Sequence, residues 1–311
     1  MEHDRERDLS QGPLPCEWDP EGDSIPGGID CILDCHVHLF PDKLFQAIWR
    51  WFDQYGWEIR YKIPYTRIIE FLFAKGIKNF TGLIYSHKPG IAGELNEFMV
   101  QVCSRYPGVI GFATVYPGED GAVDILEQAF AKGLQGVKLH QHVQFFHPDS
   151  QSMQEICQIC SREDKPILIH AGREPKTPLF EYPIDPYEMC AASKIEHLLK
   201  NFPKLRICVP HLGAAEFSAY KDLCLRYDNL WLDSAMAISK FLPGENPPDL
   251  KEYRTDRIMY GSDFPNIPYA WDRELYIALE SLDKQGVLQN FLWRNALEFL
   301  NLKKSDIQKI S

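Results

Sequence analysis

The sequence lacks any apolar run that approaches the roughly 20 residues needed to cross a membrane. It also has no apolar stretch near Met1 of the kind found in secretory signal peptides. Basic residues are outnumbered, with 33 Lys and Arg against 44 Asp and Glu and a net charge of −11. Nucleic-acid binding needs a concentrated basic surface. We therefore expect a soluble, cytoplasmic protein that binds neither nucleic acid nor membrane.

Two further signatures are missing. No G-x-G-x-x-G motif follows the first apolar run, which argues against a dinucleotide-binding open sheet. The nine cysteines are odd in number and scattered through apolar segments, so the disulfide framework of a small secreted protein is not expected. Cys157 and Cys160 form a single C-x-x-C, for which a metal or redox pair is the alternative. We interpret them as packing residues of an amphipathic helix.

Residues 1–28 differ in composition from the rest of the chain. They carry many charges together with Gly and Pro, and few large aliphatic side chains. We expect a flexible N-terminal arm over residues 1–28 and one domain over residues 29–311. A (β/α)₈ barrel typically uses about 250 residues plus insertions, which suits the length of this domain.

Short apolar runs recur through that domain, with amphipathic segments between most of them. There are eight such runs, at residues 31–38, 80–85, 109–116, 136–140, 167–170, 207–211, 230–234 and 258–262. Near-continuous apolar runs are typical of parallel strands that are buried on both faces. Eight strand–helix units favour an α/β fold, a single-domain (β/α)₈ TIM barrel, over an open doubly wound sheet.

Helical spacing of apolar residues fills most of the intervals between these runs. It predicts helices over residues 65–75, 188–201, 215–227, 271–284 and 288–300. Residues 42–55 predict an additional helix, inserted after the first strand. The link between the seventh and eighth strands contains Pro243, Gly244, Pro247 and Pro248, so we expect it to be mostly loop.

Seven polar residues lie at the carboxyl ends of the predicted strands. They are His36 and His38 on the first strand, Lys138 and His140 on the fourth, and His170, His211 and Asp263 on the fifth, sixth and eighth. Residues two apart on a strand share a face, so His36 lies beside His38, and Lys138 beside His140. In a barrel the carboxyl ends of all strands converge on one mouth, where active sites are found.

Imidazole nitrogens and carboxylate oxygens are the usual ligands of Zn²⁺ and related divalent ions. Each residue alone has an ordinary explanation: a hydrogen-bonded structural histidine, a helix-capping Asp263 or a snorkelling Lys138. Those explanations do not account for their gathering at one end of the barrel. We therefore predict a centre for one or two divalent ions, with zinc favoured, that activates water.

Six segments of the chain also carry a family resemblance. They are DCHVH at residues 34–38, GVKLH at 136–140, ILIHAG at 167–172, VPHLG at 209–213, LWLDS at 230–234 and YGSDFP at 260–265. In this order, over roughly residues 30 to 302, they resemble the amidohydrolase superfamily, and within it amidohydrolase family 2, whose members are metal-dependent TIM-barrel enzymes.

The resemblance implies a role for each ligand. His36, His38 and Asp263 would bind a first metal ion. His170 and His211 would bind a second, or His170 would complete a one-metal site while His211 polarises the substrate or the water. Asp263 would also take a proton from the attacking water and return it to the leaving group.

Lys138 resembles the fourth-strand lysine that becomes carbamylated in two-metal members such as dihydroorotases, where it would be a further metal ligand. This chain departs from that pattern by having His140 where those enzymes have an aromatic residue, which leaves one-metal and two-metal sites open. The candidate catalytic residues are thus Asp263, His211 and Lys138. The candidate substrate-binding residues are His140 and Arg173, although Arg173 could instead form a rim salt bridge with an acid such as Glu174.

Two activities fit these residues. The leading expectation is a hydrolase that cleaves an amide, ester or lactone bond of a small molecule with a metal-activated water, and Lys138 favours it. The alternative is a metal-dependent decarboxylase of an aromatic or unsaturated carboxylic acid, which shares the same ligand pattern. A barrel that binds without catalysis would need a lost ligand, and none is lost. A homo-oligomer is compatible with the sequence.

Overall fold

The computed structural model describes residues 20–174, 176–177, 180–241, 248–282 and 285–307. Over these residues eight strands alternate with helices along the chain. The strands are β1 (Leu33–His38), β2 (Asn79–Leu83), β3 (Val109–Gly111), β4 (Val137–His140), β5 (Ile167–His170), β6 (Ile207–Val209), β7 (Leu230–Asp233) and β8 (Ile258–Met259).

Helices lie between successive strands along the chain and after the last strand. They are α1 (Asp42–Tyr55), α2 (Tyr65–Lys75), α3 (Ala92–Arg105), α4 (Ala122–Ala131), α5 (Gln141–Gln144), α6 (Gln151–Arg162), α7 (Pro186–Met189), α8 (Ala192–Asn201), α9 (Phe217–Arg226), α10 (Arg273–Ser281), α11 (Gln285–Gln289) and α12 (Asn295–Leu300). A π-helical turn, Asn290–Arg294, joins α11 to α12.

The strands pair in parallel with their sequence neighbours, as sheets β1-β2-β3 and β4-β5-β6-β7-β8. Backbone contacts link the two sheets at both edges. The Ala113 amide donates to the Gly136 carbonyl at 2.8 Å, and the His38 amide donates to the Phe264 carbonyl at 2.8 Å. Because β3 thus adjoins β4 and β8 adjoins β1, the ring closes into a (β/α)₈ TIM barrel.

Burial explains why these short segments form strands. Every residue of β1, β2, β5 and β7 is buried, so their side chains face either the barrel interior or the helix layer. The barrel floor is sealed by the terminal helices, where the Asn295 side chain donates to the carbonyls of Thr255 and Ile258. The opposite end, where the strands finish, carries the polar residues.

The sequence-based expectations of the fold are confirmed in outline. All eight strands lie within or beside their predicted runs, and α1 and α2 have the predicted bounds. The helix predicted over residues 188–201 is wrong as one element, because α7 and α8 are separated at Cys190 and Ala191. Cys157 and Cys160 are buried, unbridged residues of α6, as expected of packing residues.

The N-terminal arm is described only from residue 20. In that part the Gly22 carbonyl accepts hydrogen bonds from Lys75 and from the Trp271 indole, and the Ile25 amide donates to the Lys75 carbonyl. The boundary at residue 28 therefore stays a prediction. Most of the predicted loop at residues 243–248 lies outside the described residues. No helix in the described part of the chain is long and apolar enough to span a membrane.

Candidate metal centre

The first group of ligands comes from β1 and the residues after β8. His36 Nε2 lies 3.2 Å from His38 Nε2, and each of these nitrogens lies close to Asp263 Oδ1, at 3.2 and 3.1 Å. Alternation along β1 puts both imidazoles on the barrel's inner face. Asp263 has a φ of +58°, a conformation that non-glycine residues adopt mainly where surrounding structure imposes it. The backbone is thus held so that its carboxylate reaches the two histidines.

Asp233, at the end of β7, fixes the protonation pattern of His36. Its Oδ2 lies 2.9 Å from His36 Nδ1, and its Oδ1 accepts the backbone amides of His211 and Ala235. A carboxylate bonded in this way accepts a hydrogen bond from Nδ1–H, which leaves the lone pair of His36 on Nε2. Burial and the nearby Lys138 hold the pKa of His36 well below its usual value, so its imidazole is neutral.

The second group consists of His170 at the end of β5 and His211 just after β6. His170 Nδ1 lies 3.2 Å from His211 Nε2. His211 Nδ1 lies 2.6 Å from the Ala235 carbonyl oxygen, which can only accept, so the lone pair of His211 is on Nε2. Burial lowers the pKa of His170 to about 3, which keeps this imidazole neutral as well.

This donor set fits a divalent cation. The Nε2 lone pair of His36 lies 3.2 Å from the Asp263 carboxylate, and that of His211 lies 3.2 Å from His170 Nδ1, so electron-rich atoms meet at distances that suit a shared cation. His36, His211 and Asp263 also offer ligand atoms that all lie within 4.8 Å of one another, which joins the two groups into one centre. Neutral imidazoles and a carboxylate are the ligands that zinc and manganese accept. The geometry therefore supports a metal at the positions predicted from the sequence.

Lys138 lies on β4 beside this centre, completely buried. Its Nζ has no hydrogen-bond partner among the described residues. Burial lowers its pKa to about 8, although the carboxylates of Asp233 and Asp263 act in the opposite direction. A buried amine that lacks a hydrogen-bond partner costs folding free energy. Lys138 is therefore a candidate functional residue.

His140 lies at the edge of the centre. Its ring stacks on His170, with centroids 4.0 Å apart and planes 13° from parallel, and its buried Nδ1 has no partner among the described residues. Tyr85, which follows β2, contacts both His140 and His38 with ring centroids at 4.8 and 5.8 Å. His140 thus contacts a residue of the second group directly, and its predicted role in substrate binding stays a prediction.

Arg173 is not part of this cluster. Its side chain is 48% exposed, its Nη1 lies 3.6 Å from Glu216, and its Nε donates to the Tyr187 carbonyl at 2.8 Å. The structure thus shows a rim contact of the kind weighed as the alternative, but with Glu216 instead of Glu174. Its predicted role in substrate binding stays a prediction.

Sequence reasoning gave no role to Asp233 or Tyr85, and it considered Glu174 only as a salt-bridge partner of Arg173. Asp233 stands within the LWLDS segment, so its position at the end of β7 was a usable signal. Tyr85 ends the second apolar run, where a tyrosine is equally typical of packing. Glu174 lies in a loop, and its hydrogen bond with His170 depends on a backbone path that no local pattern specifies.

The loops that follow His170 and His211 pack closely against each other at Gly172 and Gly213. Gly172 has a φ of +94°, and a Cβ there would lie 2.4 Å from the Gly213 carbonyl oxygen. We expect Gly172→Ala to destabilise the metal-free protein by about 1–3 kcal/mol, because both the conformation and the contact become strained. Urea denaturation measures this change.

Gly93→Ala is the matched control, because Gly93 lies within α3 and a Cβ added there would meet no neighbouring atom within 4 Å. This change is expected to stabilise the protein by up to about 1 kcal/mol through helix propensity. An unfolding midpoint of Gly172→Ala equal to or above that of the unsubstituted protein would show that the two loops are not tightly packed against each other.

Glu274, on α10, is a buried carboxyl behind the centre. Its Oε2 accepts from the Met236 amide and the Tyr269 hydroxyl, both at 3.0 Å. Burial raises its pKa well above the usual 4.5, and the charges of Asp263 and Asp233 act in the same direction. The folded state therefore binds this proton more tightly than the unfolded state does, and the stability it contributes falls as pH rises above about 4.5.

Glu274→Gln removes this titration while keeping the side-chain shape. Relative to the variant, the unsubstituted protein should lose up to about 1.4 kcal/mol of unfolding free energy per pH unit above 4.5, until the folded-state pKa is passed. Urea unfolding of both proteins between pH 4 and pH 8 provides the comparison. Parallel pH profiles would mean that Glu274 is ionised in the folded protein.

Comparisons with known proteins agree with this geometry. The family model for amidohydrolases matches residues 33–302. The chain belongs to this amidohydrolase family. A comparison with curated proteins gives no match.

Solved structures extend the likeness to the whole barrel. A TIM-barrel protein from Bordetella bronchiseptica is 19% identical, with a TM-score of 0.66 over 87% of this chain and 98% of that chain. A probable 2-pyrone-4,6-dicarboxylic acid hydrolase from Acinetobacter baumannii is 14% identical, with a TM-score of 0.58 over 87% and 99%. The 5-carboxyvanillate decarboxylase from Novosphingobium aromaticivorans, in complex with manganese, is 16% identical, with a TM-score of 0.62 over 90% and 99%.

The family membership identifies the chain as an enzyme of the metal-dependent amidohydrolase superfamily. At these identities the solved structures show the fold alone. Both a hydrolase and a decarboxylase are among them, so the reaction has to be argued from this chain's own residues.

Proposed function

We propose that this protein is a metal-dependent hydrolase that cleaves an amide, ester or lactone bond of a small molecule. The observation that carries the proposal is the buried Nζ of Lys138, which has no hydrogen-bond partner among the described residues and lies beside five candidate ligands. When bound, a divalent ion lowers the pKa of a coordinated water and polarises the oxygen of a substrate carbonyl. His36, His38, His170, His211 and Asp263 would hold it, with zinc as the favoured ion.

Asp263 is suited to move the proton of the attacking water. Burial alone would raise its pKa, but the hydrogen bond from His38 and the surrounding imidazoles outweigh burial and hold the pKa below its usual value. The carboxylate is therefore ionised and can accept a proton from water. It would return that proton to the nitrogen or oxygen of the leaving group. One residue would thus act first as the general base and then as the general acid.

His211 and Lys138 complete the catalytic set. The Ala235 carbonyl and the Asp233 carboxylate fix the ring and the backbone of His211, so its Nε2 keeps one direction throughout the reaction. A neutral amine at Lys138 can attack CO₂, forming an N–C bond and releasing a proton. The resulting carbamate is an anion that would satisfy the buried side chain and add oxygen ligands to the centre.

Lys138 and Arg173 support hydrolysis over decarboxylation. A decarboxylase must bind the carboxylate of its substrate, and Arg173, the candidate for that contact, is engaged by Glu216. Lys138 as a carbamate would add oxygen ligands for a second ion, which suits the activation of water for attack on an amide, ester or lactone carbonyl.

A substrate panel tests the proposal. The purified protein, loaded with Zn²⁺ or with Mn²⁺, is assayed against esters, lactones, amides and aromatic or unsaturated carboxylic acids. Hydrolysis without CO₂ release is the expected result. Release of CO₂ from a carboxylic acid, with no hydrolysis of the other classes, would assign the protein to the decarboxylases instead.

A further inference from the structure

A carboxylate from the loop after β5 contacts one of the ligands from outside the cluster. Glu174 Oε1 lies 2.5 Å from His170 Nε2, on the side of the ring opposite the atom that faces His211. Glu174 is four residues beyond His170 and belongs to none of the segments that carry the family resemblance.

This contact decides which nitrogen of His170 can bind a cation. A carboxylate accepts hydrogen bonds, so it holds the proton of the neutral imidazole on Nε2. The lone pair is then on Nδ1, 3.2 Å from His211 Nε2, which the Ala235 carbonyl has already left without a proton. Without Glu174 nothing in the described contacts of His170 would keep its proton away from the atom that faces His211.

The loop that presents Glu174 is anchored on several sides. The Gly172 carbonyl accepts from His142 Nε2 at 2.9 Å, while the Gly172 amide donates to the Cys190 carbonyl at 3.0 Å. The Arg173 carbonyl accepts from the Ala215 amide at 2.9 Å. Because the two residues before Glu174 are tied down in this way, little conformational entropy is lost when its carboxylate reaches His170.

We propose that Glu174 is a positioning residue of the metal centre, which orients His170 so that Nδ1 and His211 Nε2 together bind a divalent ion. The inference rests on the metal centre of the proposed function and extends it beyond the family ligands. Carboxylates that hydrogen-bond a ligating histidine orient the ring and make the ligand more basic. Glu174 would thus act through His170, without touching the substrate.

Metal binding gives a test that does not depend on catalysis. Zn²⁺ and Co²⁺ are titrated into metal-free protein in competition with a chelator, and Glu174→Gln and Glu174→Ala are compared with the unsubstituted chain. We expect the ion held by His170 to bind about 10- to 100-fold more weakly in the variants. Glu174→Ala should lose more than Glu174→Gln, whose amide oxygen can still accept a hydrogen bond. Glu181→Gln changes an exposed carboxylate in the same loop, and this variant should bind Zn²⁺ and Co²⁺ with the affinity of the unsubstituted chain.

The outcomes separate this inference from the proposed function. Unchanged affinity and stoichiometry in both Glu174 variants would overturn it, as would a protein that binds no ion at all. A rise in KM with metal binding intact would also overturn it, because Glu174 would then act on the substrate. Loss of every ion together with a lowered unfolding midpoint would show a general structural role and overturn it as well. If the variants lose the ion while the unsubstituted protein hydrolyses no substrate, the inference stands and the proposed function fails.

Discussion

Replacing Asp263 by asparagine is expected to lower turnover by about 100- to 10,000-fold, the range typical of a lost acid–base group. The variant keeps the shape of the side chain but removes both its charge and its basicity. His36 and His38 would face an amide where they now face a carboxylate oxygen at 3.2 and 3.1 Å. Initial rates on the best substrate of the panel, at saturating metal, measure the effect.

The barrel itself should survive this change, because Asp263 lies at the mouth beyond the last residue of β8. Asp256→Asn is the matched control, since Asp256 precedes the same strand and pairs with Arg254 at the opposite end of the barrel. It should leave turnover nearly unchanged. Near-normal turnover in Asp263→Asn, with a folded protein, would refute its assignment as ligand and base.

Replacing Lys138 is expected to lower the activity of the protein while it raises its stability. Lys138→Met should cut turnover by at least about 100-fold, since a thioether can neither form the carbamate that would add oxygen ligands to the centre nor act as an amine there. The same change should raise the unfolding free energy of the metal-free protein by about 1–3 kcal/mol, because it replaces a buried amine, which the described residues leave unpaired, by an apolar side chain of similar length.

Lys138→Ala tests the architecture of the centre. With a carbamate, the variant should lose one of two bound ions, and added bicarbonate should no longer affect activity. With a free amine, one ion stays on His36, His38, His170 and Asp263, while turnover falls. A Lys138→Ala protein with full metal content and full activity would contradict both forms of the site. Loss of stability in Lys138→Met would show that the amine has a structural partner.

Periodicity predicted the barrel because burial on both faces leaves a strong signal in each strand. The same logic placed His36, His38, Lys138, His170 and His211 at one end, since the carboxyl ends of parallel strands must meet. Asp263 was placed at the end of β8, and it lies a few residues beyond Met259, in the chain segment that turns back over the mouth.

The contacts that orient the ligands could not be predicted in the same way. Asp233 contacts His36 across the barrel, and Glu174 reaches His170 through an irregular loop. Such contacts depend on loop paths and on side-chain directions, and neither leaves a periodic pattern. Arg173 shows the same limit, because its pairing with Glu216 follows from how the loops after β5 and β6 approach each other.

Elemental analysis of the purified protein tests the central claim most directly. Four ring nitrogens and the carboxylate of Asp263 converge in this centre and predict one or two divalent ions per chain, since a catalytic zinc site uses three protein ligands plus water. Chelation should remove both metal and activity, and added Zn²⁺ or Mn²⁺ should restore them. A folded protein that carries no metal and gains none when Zn²⁺ or Mn²⁺ is added would contradict the account.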